Sequence, residues 1–431
     1  MALFGIGRVH IGLDVGTNAV RAAEMKGGDR NAVVTRFGQV LLPRGAVRDG
    51  EVEDPEAVGQ ALATLWKRAG FGSKTVRVGI ANRRVVVRLI EMPSMSRQDL
   101  EGAIRFEAQD YIPIPLDDAV MDFEVVDEYT GTDGESPQMR VVVVAAEREM
   151  VDRLLTALRI AKLEPEVLEL NAYPLIRGLG SVGSVAPEAE AIVDVGAGVT
   201  TVVVQQGGRI RFVRILNVGG DAFTQALVSS MQLDWEEAES LKHRASAAMA
   251  ARMGETRDQE EEPPPDGGGY GDEETPASDI DADEPGYADP PGAFDERYEE
   301  PATRYEEEPD PPTEDDAYAE AEIGSGPDME RAIGLLSTQV ERFVVEVRSS
   351  LDFYTAQADS MPLRAVILTG GGSLMGGLRS RLGAALRLDA ELGRVFSKVR
   401  MGKVQMSPDQ IAGAEPFLGV SVGLALGALE D

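Results

Sequence analysis

Short apolar runs of strand length alternate along this chain with longer stretches whose apolar positions return every three or four residues, the signature of an α/β protein. Residues 9–25, 33–42, 76–80 and 85–91 read as strands, with a helix at 55–69. Ser96-Arg-Gln-Asp99 has the form of a capping box. The helix it opens places Leu100, Ile104, Ala108 and Tyr111 on one face, and Pro113 and Pro115 end it. Strands at 119–126 and 139–146, an amphipathic helix at 147–161 and a strand at 166–170 complete an α-β-β-α-β block, predicted to be a compact inserted subdomain. The pattern then starts again, with strands at 191–195, 200–205 and 210–216 and helices from Asp221 and at 234–243. A long helix at 329–357, a strand at 365–368, a helix from Leu374 and a Gly/Ala-rich buried helix at 417–429 follow.

The expected architecture is α/β, a duplicated two-lobe fold. Its first lobe is built from 1–95 and the crossover 171–190 and carries the inserted subdomain at 96–170. Its second lobe is built from 191–254 and 326–412, and the terminal helix 413–431 returns to the first lobe. Between the two parts of the second lobe lies residues 255–325, rich in Pro, Gly, Asp and Glu, with 27 acids against three basic residues. So few aliphatic residues cannot offset the entropy of ordering, and disorder is expected there. A role for Tyr298 and Tyr305 within it, and hindrance of subunit stacking by it, are further expectations.

The formal charge of −32 is mostly this segment, and the other 360 residues carry −8. Acidic surfaces repel phosphate backbones, which argues against nucleic-acid binding. The chain has no Cys and two His, His10 and His243, which excludes disulfides, thiolate metal sites and histidine triads. There is no signal-peptide pattern at the start and no apolar run long enough to span a bilayer, so a cytoplasmic protein is expected.

Two segments carry the chemistry. Ile11-Gly-Leu-Asp-Val-Gly-Thr17 and Ile192-Val-Asp-Val-Gly-Ala-Gly198 each read as a strand running into a turn with an Asp-x-Gly centre. Glycine at such turns lets backbone N–H groups close on an anion. Asp14 and Asp194 would face each other across a cleft and hold a hydrated Mg²⁺, because hard cations take oxygen ligands. Phosphate donors are expected from Gly16, Thr17 and Asn18 at the first turn and from Gly196, Gly198, Thr200 and Thr201 at the second. Gly219, Gly220 and Asp221 form a turn before a helix, and Gly370, Gly371, Gly372 and Ser373 lie between a strand and a helix. No Gly-x4-Gly-Lys-[Ser/Thr] and no Gly-x-Gly-x-x-Gly after a strand occurs, against a P-loop or a Rossmann site.

The order of these loops resembles that of the actin-like ATPase superfamily, and within it the chain resembles the PilM family of type IV pilus assembly proteins. Ile11–Thr17 and Asp194–Thr201 look like that family's two phosphate loops. Arg105-Phe-Glu-Ala-Gln-Asp-Tyr-Ile-Pro-Ile-Pro115 resembles the helix and turn of its inserted subdomain. Val218–Asp221 and Ala238-Glu-Ser-Leu-Lys242, with Glu239 and Lys242, resemble its nucleoside-side elements, and Thr369–Gly372 its adenosine loop. The resemblance implies an ATP-binding protein held at the inner membrane by the N-terminal tail of a PilN-type membrane protein. Ile104, Phe106, Tyr111 and Ile112 are the candidate tail-binding residues. It also implies a water-orienting residue after the crossover, where Glu169 and Asn171 stand. Asn171 holds the favoured position, and its short amide predicts slow turnover. Two other readings are an actin-superfamily kinase, for which no Asp stands in a sugar-binding context, and a filament-forming division protein similar to FtsA, whose usual membrane-binding terminal helix is expected to be missing.

Overall fold

The computed structural model describes residues 9–28, 31–130, 137–181, 188–255, 326–357, 360–404 and 406–430. The acidic stretch, apart from Glu255, lies outside the described residues, and so do Tyr298 and Tyr305.

The strands β1 (Val9–Val15), β2 (Ala19–Lys26) and β3 (Val33–Leu41) form an antiparallel meander. On the far side of β1, β6 (Thr75–Ile80) and then β10 (Glu164–Leu170) pair parallel. The second half repeats the arrangement with β11 (Ala189–Val195), β12 (Thr200–Gln206) and β13 (Arg209–Leu216) antiparallel, and β14 (Leu363–Thr369) and β15 (Asp389–Leu392) parallel. Matching strand order and direction in two halves is the duplication that the two Asp-x-Gly strands announced. The short strand β16 (Arg400–Met401) joins the first sheet beside β3, so the second half of the chain completes the first half's sheet.

Helix α1 (Pro55–Ala69) forms where its sequence says it should. Asp54 caps it by accepting from the backbone N–H of Glu56 and Ala57, both at 3.0 Å, and Pro55 sits where no N–H is needed. Its apolar face, with Val58, Leu62 and Leu65, buries against the first sheet. A hairpin of β4 (Val47–Arg48) and β5 (Glu51–Val52) precedes it.

The block expected at 96–170 is distributed differently. A three-stranded sheet, β7 (Val85–Pro93), β9 (Gln138–Glu147) and β8 (Ala119–Tyr129), is covered by α2 (Arg97–Tyr111). Its first strand therefore precedes residue 96. Helix α3 (Arg148–Ile160) packs on α1, and β10 belongs to the first sheet. The apolar face of α3 divides: Leu154, Ala157 and Leu158 are buried in the core of the first lobe with α1, while Met150 and Val151 join Val126, Val142 and Ala146 on the face of the inserted sheet that α2 leaves open.

Helix α4 (Ala172–Leu179) crosses from β10 towards the second sheet, and α10 (Gly419–Glu430) returns over β1 and β2. The two helices meet at Gly423, where a Cβ would lie 1.9 Å from the Pro174 carbonyl oxygen. A Cβ on Gly12 would lie 1.9 Å from the Ser421 carbonyl oxygen. Both contacts bring backbone onto backbone, which glycine alone permits. On the second sheet pack α5 (Gly220–Met231), α6 (Trp235–Arg252), α7 (Pro327–Thr355) and α8 (Leu378–Leu386), with α9 (Pro408–Ala414) lying before α10. Among the described residues no single helix is long and apolar enough to cross a membrane.

Candidate functional site

A cleft of about 680 Å³ lies between the two sheets, and residues from both lobes line it. Asp14 and Asp194 occupy equivalent places, each one residue from the end of its strand. The turns that follow are closed by the same bond, Gly16 N–H to the Ala19 carbonyl at 3.0 Å and Gly196 N–H to the Val199 carbonyl at 2.9 Å. The loops touch, since a Cβ on Gly198 would lie 2.6 Å from Thr17 Oγ1. At Gly370 φ is +81°, and a Cβ there would fall 2.5 Å from Asp194 Oδ1, so glycine is required on two grounds.

The electrostatics of the pair are unfavourable as they stand. Burial raises the Asp194 carboxyl to about 7, the Asp14 charge adds to the rise, and Arg21 opposes it. Burial likewise raises Asp14 against the pull of Arg21, whose Nη1 lies 3.8 Å from Asp14 Oδ2. Two carboxylates raised by burial in one cleft, with the Asp14 charge acting on Asp194, are what a divalent cation relieves. Among the described residues no group of three or more His, Asp or Glu forms a metal cage. A cation here would therefore keep water and ligand oxygens as partners, which suits Mg²⁺.

At the other end of the cleft Glu239 accepts hydrogen bonds from Thr224 Oγ1 and from Lys242 Nζ at 2.6 Å, and His243 Nε2 lies 3.2 Å from it. Burial pushes the Glu239 carboxyl up, but the bonds from His243, Lys242 and Thr224 outweigh it and hold it at about 2. Asp221 is raised by burial, against Lys242.

Most of the expected residues line this cleft: Gly16, Thr17, Asn18, Gly196, Thr201, Gly220, Asp221, Glu239, Lys242 and Gly370 to Gly372, together with Asn171. Others sit behind its wall. Thr200 donates to the Val218 carbonyl at 2.7 Å and Ser373 to the Gly370 carbonyl at 2.6 Å, so both hydroxyls fix loops. Gly219 packs against the carbonyls of Gly196 and Ala197, and the N–H groups of Gly220 and Asp221 donate to those carbonyls. These N–H groups therefore brace the second loop. Glu169 is paired with Arg177, one bond being 3.0 Å, and stands outside the cleft lining. Asn171 is buried against Gly79, and its Oδ1 has no hydrogen-bond partner.

The tail-binding set divides by helix periodicity. Ile104 and Ile112 are buried in the core between α2 and the three-stranded sheet, which corrects their assignment to an accessible groove. Phe106 (72% exposed) and Tyr111 (48%) face outward.

Sequence reasoning missed Arg21, Arg44, Trp235 and Phe417, all in the cleft lining. The Arg44 guanidinium lies 3.8 Å from the Trp235 ring centroid, joining the two halves across the cleft. Arg21 was findable: a four-residue turn from Gly16 to Ala19 places it opposite Asp14 in the β1–β2 register.

A family model described as type IV pilus assembly protein PilM matches residues 12–250, more than half of the chain. The chain belongs to the PilM family. Residues 191–414 also match the model for cell division protein FtsA, and the two matches overlap over 191–250, the first part of the second lobe. The FtsA of Streptococcus pneumoniae serotype 2 is 26% identical over 258 residues, 54% of each protein. That of Pseudomonas aeruginosa is 25% identical over 289 residues, 59% of this chain and 66% of that one. The chain thus spans just over half the length of the first and 66% of the second. A solved chain of the PilM–PilN type IV pilus biogenesis complex is 23% identical, covers 98% of this chain and 99% of its own, and superposes with a TM-score of 0.71. The two-lobe actin-like fold expected of a PilM-family chain is the fold observed.

Proposed function

We propose that this PilM-family chain is a cytoplasmic ATP- and Mg²⁺-binding scaffold of a type IV pilus assembly platform, held at the inner membrane by the N-terminal tail of a PilN-type protein. The observation that carries the nucleotide reading is the pair Asp14 and Asp194, near the ends of equivalent strands across one cleft and both raised by burial. Their oxygens would hold Mg²⁺, which when bound neutralises the pair and the phosphates together. Arg21 and the turns at Gly16–Asn18, Gly196–Gly198 and Gly370–Gly372 would surround the phosphates, and Glu239 and Lys242 the nucleoside. The partnerless Oδ1 of buried Asn171 suits it to accept a hydrogen bond from a water in the cleft. Glu169 is occupied by Arg177, which leaves the amide of Asn171 without a carboxylate base beside it, and slow turnover is the expectation.

The partner reading rests on family membership and on the likeness to the chain of the PilM–PilN complex. Phe106 and Tyr111, large and exposed on α2, are its candidate contacts. Calorimetry with Mg-ATP tests the first part: Asp14→Ala and Asp194→Ala should each weaken binding, and retained affinity in both refutes the clamp. Anisotropy of a labelled PilN-type N-terminal peptide tests the second. Saturable binding lost in Phe106→Asp supports it, and no binding refutes it. The match to FtsA favours a polymer as the second reading, and ATP-dependent sedimentation would select it.

A further inference from the structure

The geometry points to Phe417 as a positioning residue for the nucleotide's phosphates, acting through Arg21 of the first lobe and the Gly370–Gly372 loop of the second. This rests on the nucleotide reading above and assigns a role to a residue that no glycine motif contains. Phe417 ends a 3₁₀ turn, Glu415–Phe417, just before α10. The turn grips the glycine loop from beneath: the Pro416 carbonyl accepts from Gly370 N–H at 2.8 Å and from Thr369 Oγ1 at 3.2 Å. The turn is itself fixed, since Glu415 Oε1 accepts from Phe396 N–H at 2.8 Å. The aromatic ring then rises into the cleft lining.

One edge of that ring supports the loop. A Cβ on Gly371 would lie 2.6 Å from Phe417 Cε1, so the Gly371 backbone rests directly on the ring. A ring face serves Arg21, whose Cζ is 5.5 Å from the ring centroid. The guanidinium has weak holds elsewhere. Nη1 is 3.8 Å from Asp14, Nη2 donates to Asn18 Oδ1 at 3.2 Å, and the buried Nε has no hydrogen-bond partner. A cation held by an aromatic face and a long contact keeps its charge available to an incoming anion. Without the ring, Arg21 is free to collapse onto Asp14, and the glycine loop loses its floor. One side chain thus sets the separation between anion-binding groups that come from opposite lobes.

The alternative is that Phe417 only fills space, and the two roles differ in what they do to phosphate against nucleoside. Affinities of the full chain for Mg-ATP and for adenosine, measured by calorimetry, separate them. Phe417→Leu keeps apolar bulk and loses the π face. It should weaken ATP roughly three- to tenfold, the size of a partly desolvated cation–π contact, with adenosine changed less than twofold. Phe417→Tyr should restore ATP affinity. In an Arg21→Gln background Phe417→Leu should cost no further ATP affinity, because the contact is already gone. Equal losses for ATP and adenosine, a leucine variant that binds ATP like wild type, or additive effects in the double variant would overturn the positioning role. A wild-type chain that binds neither ATP nor adenosine overturns the nucleotide reading itself, and this role with it.

Discussion

Replacing Asp194 by Asn should make the metal-free protein more stable at pH 8 while destroying its response to Mg-ATP. Burial and the Asp14 charge hold the Asp194 carboxyl at about 7 in the folded chain against an ordinary 3.8. Such a group binds more protons folded than unfolded throughout that interval, so its contribution to stability is greatest below about 4 and falls as pH rises to about 7. At 1.36 kcal/mol for each tenfold change in proton affinity, the ionised form forfeits on the order of 4 kcal/mol by pH 8. Asparagine removes the charge, and with it the repulsion from Asp14, but leaves an amide to be hydrogen-bonded. A net gain of about 1–3 kcal/mol at pH 8 is therefore expected, reversing to a loss of about 1–3 kcal/mol near pH 4, where wild-type Asp194 is already neutral and only the cost of the amide remains.

Urea unfolding in chelator at pH 5 and pH 8 measures the gain, and repetition with saturating Mg-ATP measures the loss of linkage. Wild type should gain about 2.7 kcal/mol from a ligand at 100 times its dissociation constant, and the variant should gain little. Asp194→Asn that is less stable than wild type at pH 8 without metal, or that shows the wild-type pH profile, would refute the electrostatic argument.

Two further outcomes separate residues that look alike in sequence. Ile104→Ala should cost about 2–5 kcal/mol, because Ile104 is buried beneath α2, whereas Phe106→Ala, two residues on and exposed, should stay within about 0.5 kcal/mol by the same unfolding assay. Arg44→Ala should alter the emission of Trp235, since Trp66, the other tryptophan, is engaged elsewhere through its Nε1–H to the Ser73 carbonyl; an unchanged spectrum would mean that the cross-cleft stack does not persist in solution.

The fold was legible wherever local chemistry dictates backbone shape. Asp54, Pro55 and Gly70 bound α1 at the residues the pattern predicts, and the two Asp-x-Gly strands gave the duplication away. What the pattern could not supply was the choice between equally good burial partners. The apolar stripe of α3 fits any flat apolar surface, and only the assembled molecule places it against both α1 and the inserted sheet. The same limit separated Ile104 from Phe106: both lie in one helix, and the face that meets the sheet follows from β9 and its neighbours. Within the site, turns signal themselves through glycine and aspartate. Arg44, Trp235 and Phe417 carry no such local signal, because their role comes from partners more than 190 residues away in Arg44–Trp235 and nearly 400 in Arg21–Phe417.

The cleft and the inserted sheet are tied by contacts of a particular strength. Asp127 on β8 pairs with Arg209 at 3.0 Å and Arg211 at 3.1 Å, both from β13 of the second lobe. At the root of the insertion, where the chain enters β7 and leaves β9, Arg84 bridges Glu51 at 2.9 Å and Glu147 at 2.7 Å. Glu51 lies between Gly50 and Val52, which line the cleft. A change in the angle between the two sheets must therefore either break the Asp127 pairs or carry the insertion along. The Arg209 pair is largely exposed and worth about 0–1 kcal/mol, but Asp127 and Arg211 are mostly buried, and Val85, Val126 and Val142 of the insertion share a core with Val203 and Ile210 of the second sheet. The glycine-to-backbone contacts of α10 with β1 and α4 leave no room to slide. A change in the angle between the sheets therefore has to disturb that shared core as well as the ion pairs unless the insertion moves with the second sheet, and the insertion's position then depends on the cleft.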